Sequence, residues 1–168
     1  MLGIMGAMPQ EVAHLHDAME DVTTTTIGQR DYHVGRLDGR EVVLAFSRWG
    51  KVASASTATT MIDRFGADEL VFTGVAGAVN RALSVGDIVV ADALVQHDLD
   101  ASPLFAPMEV PLLGAAVIAL EPGRVRRAAQ AGDMFAAKLY EHVSADELAA
   151  LGVLLPNVHI GTIASGDQ

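Results

Sequence analysis

Apolar residues recur along the chain in short blocks whose spacing switches between that of a strand and that of a helix. The first block, Leu2–Met8, has strand character and runs into the small residues Gly6 and Ala7. Pro9 suits a first helical position, where its missing N–H is not needed. Val12, Leu15, His16 and Met19 then continue at helical spacing to about Glu20. Thr23–Ile27 is β-branched and predicts a strand, with a turn over residues 28–31. Tyr32–Leu37 and Glu41–Phe46 flank Asp38-Gly39, a strong hairpin signal because both residues tolerate positive φ. Lys51–Phe65 predicts a helix whose small residues (Ala53, Ser54, Ala55, Ser56, Ala58) allow close packing, with Gly66 just past its end.

Glu69–Thr73 predicts a short buried strand leading into Gly74-Val75-Ala76-Gly77-Ala78. Ser84–Asp87 turns into a further strand, Ile88–Ala91. Residues 97–114 hold three prolines and no clean period, which predicts a long irregular loop of the kind that is functional or mobile. Arg124–Gly152 carries helical periodicity in two pieces broken around His142–Ala145, and Ser144 with Glu147 fits a capping box for the second. Val158–Ala164 is a last strand before Ser165-Gly166-Asp167-Gln168. The alternation of strands and helices, without repeats or linkers, predicts one α/β domain over residues 1–168.

Composition narrows the function classes. A chain of 168 residues suffices for one domain with a real core, and a 51% apolar, 5% aromatic content implies a core of Val, Leu, Ala and Ile. Eleven basic against twenty-one acidic residues give a net charge of −10, which argues against a nucleic-acid groove. Without cysteine there is no disulfide framework and no thiolate chemistry. The longest apolar run, Val110–Leu120, contains Pro111 and Gly114 and is too short to span a bilayer. Leu2–Met8 reads as a strand rather than a signal peptide. These features lead to an expectation of a soluble cytoplasmic protein.

Glu11 is the first candidate for chemistry. It falls in the first turn of a helix that follows a strand, where open α/β folds place ligands. An acid there can serve as a base, or it can simply complement the helix dipole. Three strand ends share small residues: Gly6-Ala7-Met8, Thr73–Gly77 and Ala164–Asp167. None has a phosphate signature such as a Walker lysine. His97-Asp98-Leu99-Asp100 is too short and isolated to make a metal site, and His14 and His16 do not share a helix face.

Taken together, the segments resemble the 5′-methylthioadenosine/S-adenosylhomocysteine nucleosidases of the nucleoside phosphorylase superfamily. The matching stretches are Gly-Ile-Met-Gly-Ala-Met-Pro-Gln-Glu-Val at 3–12, Trp-Gly-Lys-Val at 49–52 and Thr-Gly-Val-Ala-Gly at 73–77. To these are added Val-Gly-Asp-Ile-Val-Val at 85–90, Gln-His-Asp-Leu-Asp at 96–100 and Ala-Ser-Gly-Asp-Gln at 164–168. The resemblance implies a three-layer α/β/α fold with a central mixed, twisted sheet. It implies hydrolysis of the N-ribosidic bond of adenine thioribosides, without metal or cofactor, by a homodimer.

On the same basis Glu11 would activate water, with the backbone of Val75, Ala76 and Gly77 around water, sugar and base. Met8 and Gly50 would line the ribose and 5′-substituent side. Leu104, Phe105 and Pro111 would reach into the partner subunit's pocket, and helix 51–65 with this loop would form the dimer face. Asp167 would brace the loop that follows it. Related phosphorylases hold phosphate with arginines; the corresponding places here carry Glu11 and Phe72, and the serine often found at the second turn is Val75. A phosphate dianion beside Glu11 would be strongly disfavoured, which favours water. Arg48-Trp49 departs from the family's usual Gly-Ile.

The family's adenine-stacking phenylalanine, its ribose-holding Met-Glu pair and its general acid would all follow Gln168. The expectation is therefore of a C-terminally incomplete domain, nearly inactive as 168 residues alone. Three other readings remain: an aminodeoxyfutalosine hydrolase, a purine nucleoside phosphorylase, and an inactive nucleoside-binding fragment.

Overall fold

In the computed structural model, which describes residues 1–153 and 155–167, the chain forms two compact units, Met1–Ala76 and Gly77–Gln168. Gln168, the last residue of the 164–168 motif, lies outside the described residues.

The first unit is organised around its first strand. β1 (Leu2–Gly6) is followed by α1 (Pro9–Asp17), β2 (Glu20–Ile27), β3 (Arg30–Leu37), β4 (Arg40–Phe46), α2 (Lys51–Phe65) and β5 (Glu69–Phe72). The sheet order is β2-β3-β4-β1-β5, with β1 parallel to both β4 and β5 and the β2-β3-β4 meander antiparallel. A strand parallel to both neighbours needs apolar side chains on both faces, because helices cover each side. β1 and β4 meet that demand. Ile4, Val42 and Leu44 pack with Val12 of α1 on one face, while Met5, Val43 and Ala45 pack with Met61 of α2 on the other. Val42, Val43, Leu44 and Ala45 are each at most 1% exposed, and burying a valine or leucine contributes about 1.5–3 kcal/mol. This unit is a three-layer α/β/α arrangement with a mixed sheet.

Local chemistry matches these elements. Asp38 (φ 49°) and Gly39 (φ 74°) both take positive φ in the two-residue β3–β4 turn, as the hairpin signal requires. α2 ends at Gly66 (φ 70°), where the Gly66 and Ala67 N–H groups donate to Ile62 and Met61 carbonyls.

In the second unit, β6 (Ile88–Gln96) lies between β7 (Val117–Ala119) and β8 (Val158–Ser165), antiparallel to the first and parallel to the second. The crossover carries α3 (Pro122–Ala137), α4 (Leu139–His142) and α5 (Ala145–Ala150). α5 opens with the expected capping box between Ser144 and Glu147. A small core joins Leu139, Leu148 and Val153.

Several details differ from the expectations: α1 ends at Asp17 and β2 starts at Glu20, and β5, expected to be buried, is an edge strand with Leu70, Val71 and Phe72 exposed. β6 extends past Ala91 because a register shift between Ala91 and Ala93 absorbs Asp92, which interrupts the apolar alternation. β7 is a three-residue strand near the end of the apolar run Val110–Leu120, for which no strand was expected. The helical region has a further break at Lys138, whose φ of −115° and ψ of 15° leave the helix.

Candidate active site at the carboxyl ends of the first sheet

β1 ends at Gly6, and the chain turns through Ala7 and Met8 into α1. Glu11, in the first turn of α1, folds its side chain back on this turn. Its Oε2 accepts hydrogen bonds from the N–H groups of Ala7 (2.7 Å) and Met8 (2.9 Å). Its Oε1 accepts a third, from the Val75 N–H at 2.9 Å, 64 residues away in sequence. The carboxylate thus caps its own helix and also bridges the strand ends of β1 and β5, which lie side by side in parallel register.

A carboxylate offers about four acceptor positions across its two oxygens. Three are used here, two on Oε2 and one on Oε1, leaving an acceptor position on Oε1. The half-buried side chain is held without any cation: among the described residues no Lys, Arg or His lies in ion-pair range of Glu11.

Two glycines make this geometry possible by being small. A Cβ on Gly74 would stand 2.7–2.8 Å from the Glu11 carboxylate atoms, and one on Gly6 would meet the Thr73 carbonyl and Val12 at 3.0 Å. Gly50 has φ 94° and precedes α2, accepting at its carbonyl from the Ser54 N–H. Beside it Arg48 holds φ 68°, a conformation that favours glycine, and its guanidinium donates to the Gln29 carbonyl.

Of the residues singled out in the sequence, Glu11, Met8 and Val75 are joined by these hydrogen bonds. Ala76 follows Val75 as an exposed loop residue, and Gly77 begins the second unit. In that unit Leu104 is 84% exposed, Phe105 is half-buried and Pro111 is exposed. The loop carrying them is built from turns, including a 2.7 Å hydrogen bond from the Met108 N–H to the Leu99 carbonyl. The Asp167 N–H donates to the Asp98 carboxylate at 2.7 Å, and His97 packs where a Gly166 side chain would otherwise sit.

The sequence reading noted Ala7 and Gly74 only as small residues at strand ends; Ala7 contributes a backbone amide to Glu11 and Gly74 contributes space. The Thr-Gly pair before Val75 was the available signal for the second.

On the other flank of α1 a cleft of about 430 Å³ is lined by residues including Val12, His16, Arg30, His33, Phe46 and Arg48. The His16 and His33 rings meet edge to face at 4.5 Å. Burial, followed by the neighbouring His16, holds His33 below its ordinary value of 6.5, against a smaller opposing effect of Asp31. Among the described residues no three His, Asp or Glu side chains converge as a metal site would require. Nor is any of their helices long and apolar enough to cross a membrane.

Comparison with known proteins places the chain in a family. The family model of the phosphorylase superfamily matches residues 1–168. A 5′-methylthioadenosine/S-adenosylhomocysteine nucleosidase of Mycobacterium bovis is 34% identical over 175 residues, covering 99% of this chain and 67% of the relative. An aminodeoxyfutalosine nucleosidase of Campylobacter jejuni is 40% identical over 107 residues, covering 64% of this chain and 47% of the relative. The crystal structure of the 5′-methylthioadenosine/S-adenosylhomocysteine nucleosidase from Neisseria meningitidis, in complex with methylthio-immucillin-A, superimposes with a TM-score of 0.81 at 32% identity. That match covers 99% of this chain and 64% of the other, so the chain spans about two thirds of the length of such relatives. With one family model running over both units and a 34% identical relative along nearly its whole extent, the chain belongs to the phosphorylase superfamily, alongside its 5′-methylthioadenosine/S-adenosylhomocysteine nucleosidases.

Proposed function

We propose that the protein hydrolyses the N-ribosidic bond of 5′-methylthioadenosine and S-adenosylhomocysteine, releasing adenine and the thioribose. The observation that carries this is the Glu11 carboxylate, fixed by three N–H donors at the carboxyl ends of β1 and β5 with an acceptor position left on Oε1. Water bound there would give a proton to Glu11 as its oxygen bonds to the anomeric carbon. The bond to adenine breaks through an oxocarbenium-like state, and adenine leaves after taking up a proton.

In this reading Met8 and Gly50 line the ribose and 5′ side, and the 75–77 backbone surrounds water, sugar and base. Leu104, Phe105 and Pro111 complete the pocket of the other subunit in a cytoplasmic homodimer. Asp167 belongs to the bracing of the adjoining loop. The two units act as one nucleosidase-like domain, without metal or cofactor, in methionine salvage. A phosphate dianion at Glu11 would face like charge with no guanidinium, among the described residues, in ion-pair range of that carboxylate, which supports water as the nucleophile.

The test is adenine release from 5′-methylthioadenosine in phosphate-free buffer by a protein in which residues 1–168 are continued by the family's stacking, ribose-holding and general-acid segments. Release independent of phosphate is expected; release that requires phosphate overturns the hydrolase reading. The Campylobacter jejuni relative supports a second substrate, so aminodeoxyfutalosine is assayed in parallel.

A further inference from the structure

Ser47 and Thr57 are the fully buried polar residues of the described core, each 0% exposed. A buried hydroxyl costs stability unless it is hydrogen-bonded, and an alanine would fill the Ser47 site more simply. Ser47 stands one residue beyond β4, and its N–H donates to the Gly6 carbonyl at 2.9 Å. Its hydroxyl lies 3.1 Å from the same Gly6 oxygen and 2.9 Å from the Arg48 oxygen, so its one proton is shared between two carbonyls.

The Gly6 carbonyl and the Ala7 N–H belong to one peptide unit. That unit is planar and trans, so fixing the direction of its carbonyl fixes the opposite direction of its N–H. The Ala7 N–H makes the shortest of the three hydrogen bonds to Glu11, at 2.7 Å. Two hydrogen bonds accepted at the carbonyl also polarise the peptide and strengthen its donor. Ser47 is itself anchored, since its carbonyl accepts from Arg30 Nε at 3.2 Å, while the Thr57 hydroxyl nearby gives its proton to the Ala53 carbonyl at 2.9 Å.

We propose that Ser47 is a positioning residue for Glu11, acting through the peptide that joins Gly6 to Ala7. The proposal rests on the reading of Glu11 as the water-activating base, and its test has an arm that does not depend on activity. In Ser47→Ala, amide hydrogen exchange at Ala7 should quicken by about tenfold or more, while Val43, in the core of the same sheet, keeps its rate. Adenine release should show kcat lowered about tenfold with KM within twofold, the mark of a misaimed base rather than lost substrate binding.

Unchanged Ala7 exchange overturns the proposal, and so does an equal acceleration at Ala7 and Val43, which would mean general loosening. If the parent protein released no adenine, the Glu11 reading would fall while the exchange arm still judged the coupling. Should Ser47→Ala fail to fold, Ser47→Cys keeps the side-chain volume and replaces the hydroxyl by a weak thiol donor. A smaller, selective acceleration at Ala7 is then expected, and its absence overturns the proposal.

Discussion

Glu11 and Asp87, one in each unit, both hold strand ends together, and they differ in which ends they hold. Glu11 ties β1 to the segment after β5 at the carboxyl ends of parallel strands. Asp87 ties β6 to β8 at their amino ends, accepting from the Ser84 N–H at 2.9 Å, the Asn157 N–H at 2.8 Å and His159 Nε2 at 3.3 Å. By hydrogen-bond count alone the two are close, with three bonds to Glu11 and four to Asp87. Both residues are half-buried, but the contacts of Asp87 include a side-chain amide and an imidazole, whereas Glu11 uses only backbone donors. Under the proposed function strand polarity separates the two roles: open α/β sheets bind ligands at the carboxyl ends of their strands, where Glu11 lies, and Asp87 lies at the opposite ends.

The sharpest way to break that comparison is Glu11→Gln. The amide keeps the shape and loses the base, so kcat for adenine release should fall by about 10²–10⁴ with thermal stability little changed. Retained turnover would put Glu11 in the same class as Asp87. Next in size is Gly74→Ala, whose added methyl would press on the Glu11 carboxylate. A drop in kcat of about tenfold to a hundredfold is expected, with KM less affected.

Asp87→Ala should do the reverse, lowering Tm by roughly 5 °C while kcat per folded molecule stays within about twofold. Its acid response sharpens the contrast. The Ser84 N–H, then the Asn157 N–H, hold the Asp87 carboxyl below its ordinary value of 3.8. The folded state therefore binds fewer protons there than the unfolded one. The stabilisation is complete above the ordinary value and is lost as pH falls through the lower value in the fold. Asp87→Asn should flatten that part of an acid-denaturation curve. The smallest effect is expected from Arg48→Gly: relief of a positive φ, about 1 kcal/mol, offsets the lost bond to Gln29, leaving Tm nearly unchanged.

Much of this was legible in the sequence where the physics is local. Lys51–Phe65 was bounded correctly because Gly50 and Gly66 both sit where positive φ is needed, and the β3–β4 hairpin followed from Asp38-Gly39. The capping box at Ser144 is likewise a four-residue matter. What escaped depends on distant partners. β7 exists because Val117, Ile118 and Ala119 pair with β6, and no local pattern announces a three-residue strand. Glu11 was singled out, but the way it is held is a property of three backbone amides, which carry no sequence signal. Ser47 was not singled out, since its importance lies in which carbonyl it reaches.

The placement of β1 also shapes how the molecule comes into being. The strand made first is the inner strand of the first sheet, and its partners Val42–Phe46 and Glu69–Phe72 are made 40 to 70 residues later. The β3–β4 hairpin, closed by two residues, can form at once, but the parallel pairings must wait for long loops to close. Leu2–Gly6 thus emerges as an unpaired apolar strand and stays so until β4 is available. The hydrogen bond from Val75 to Glu11 comes later still, so the carboxylate acquires its final setting only after the sheet beneath it is complete. A growing chain interrupted before residue 75 would hold every element of α1 and β1 and still lack the third donor to Glu11.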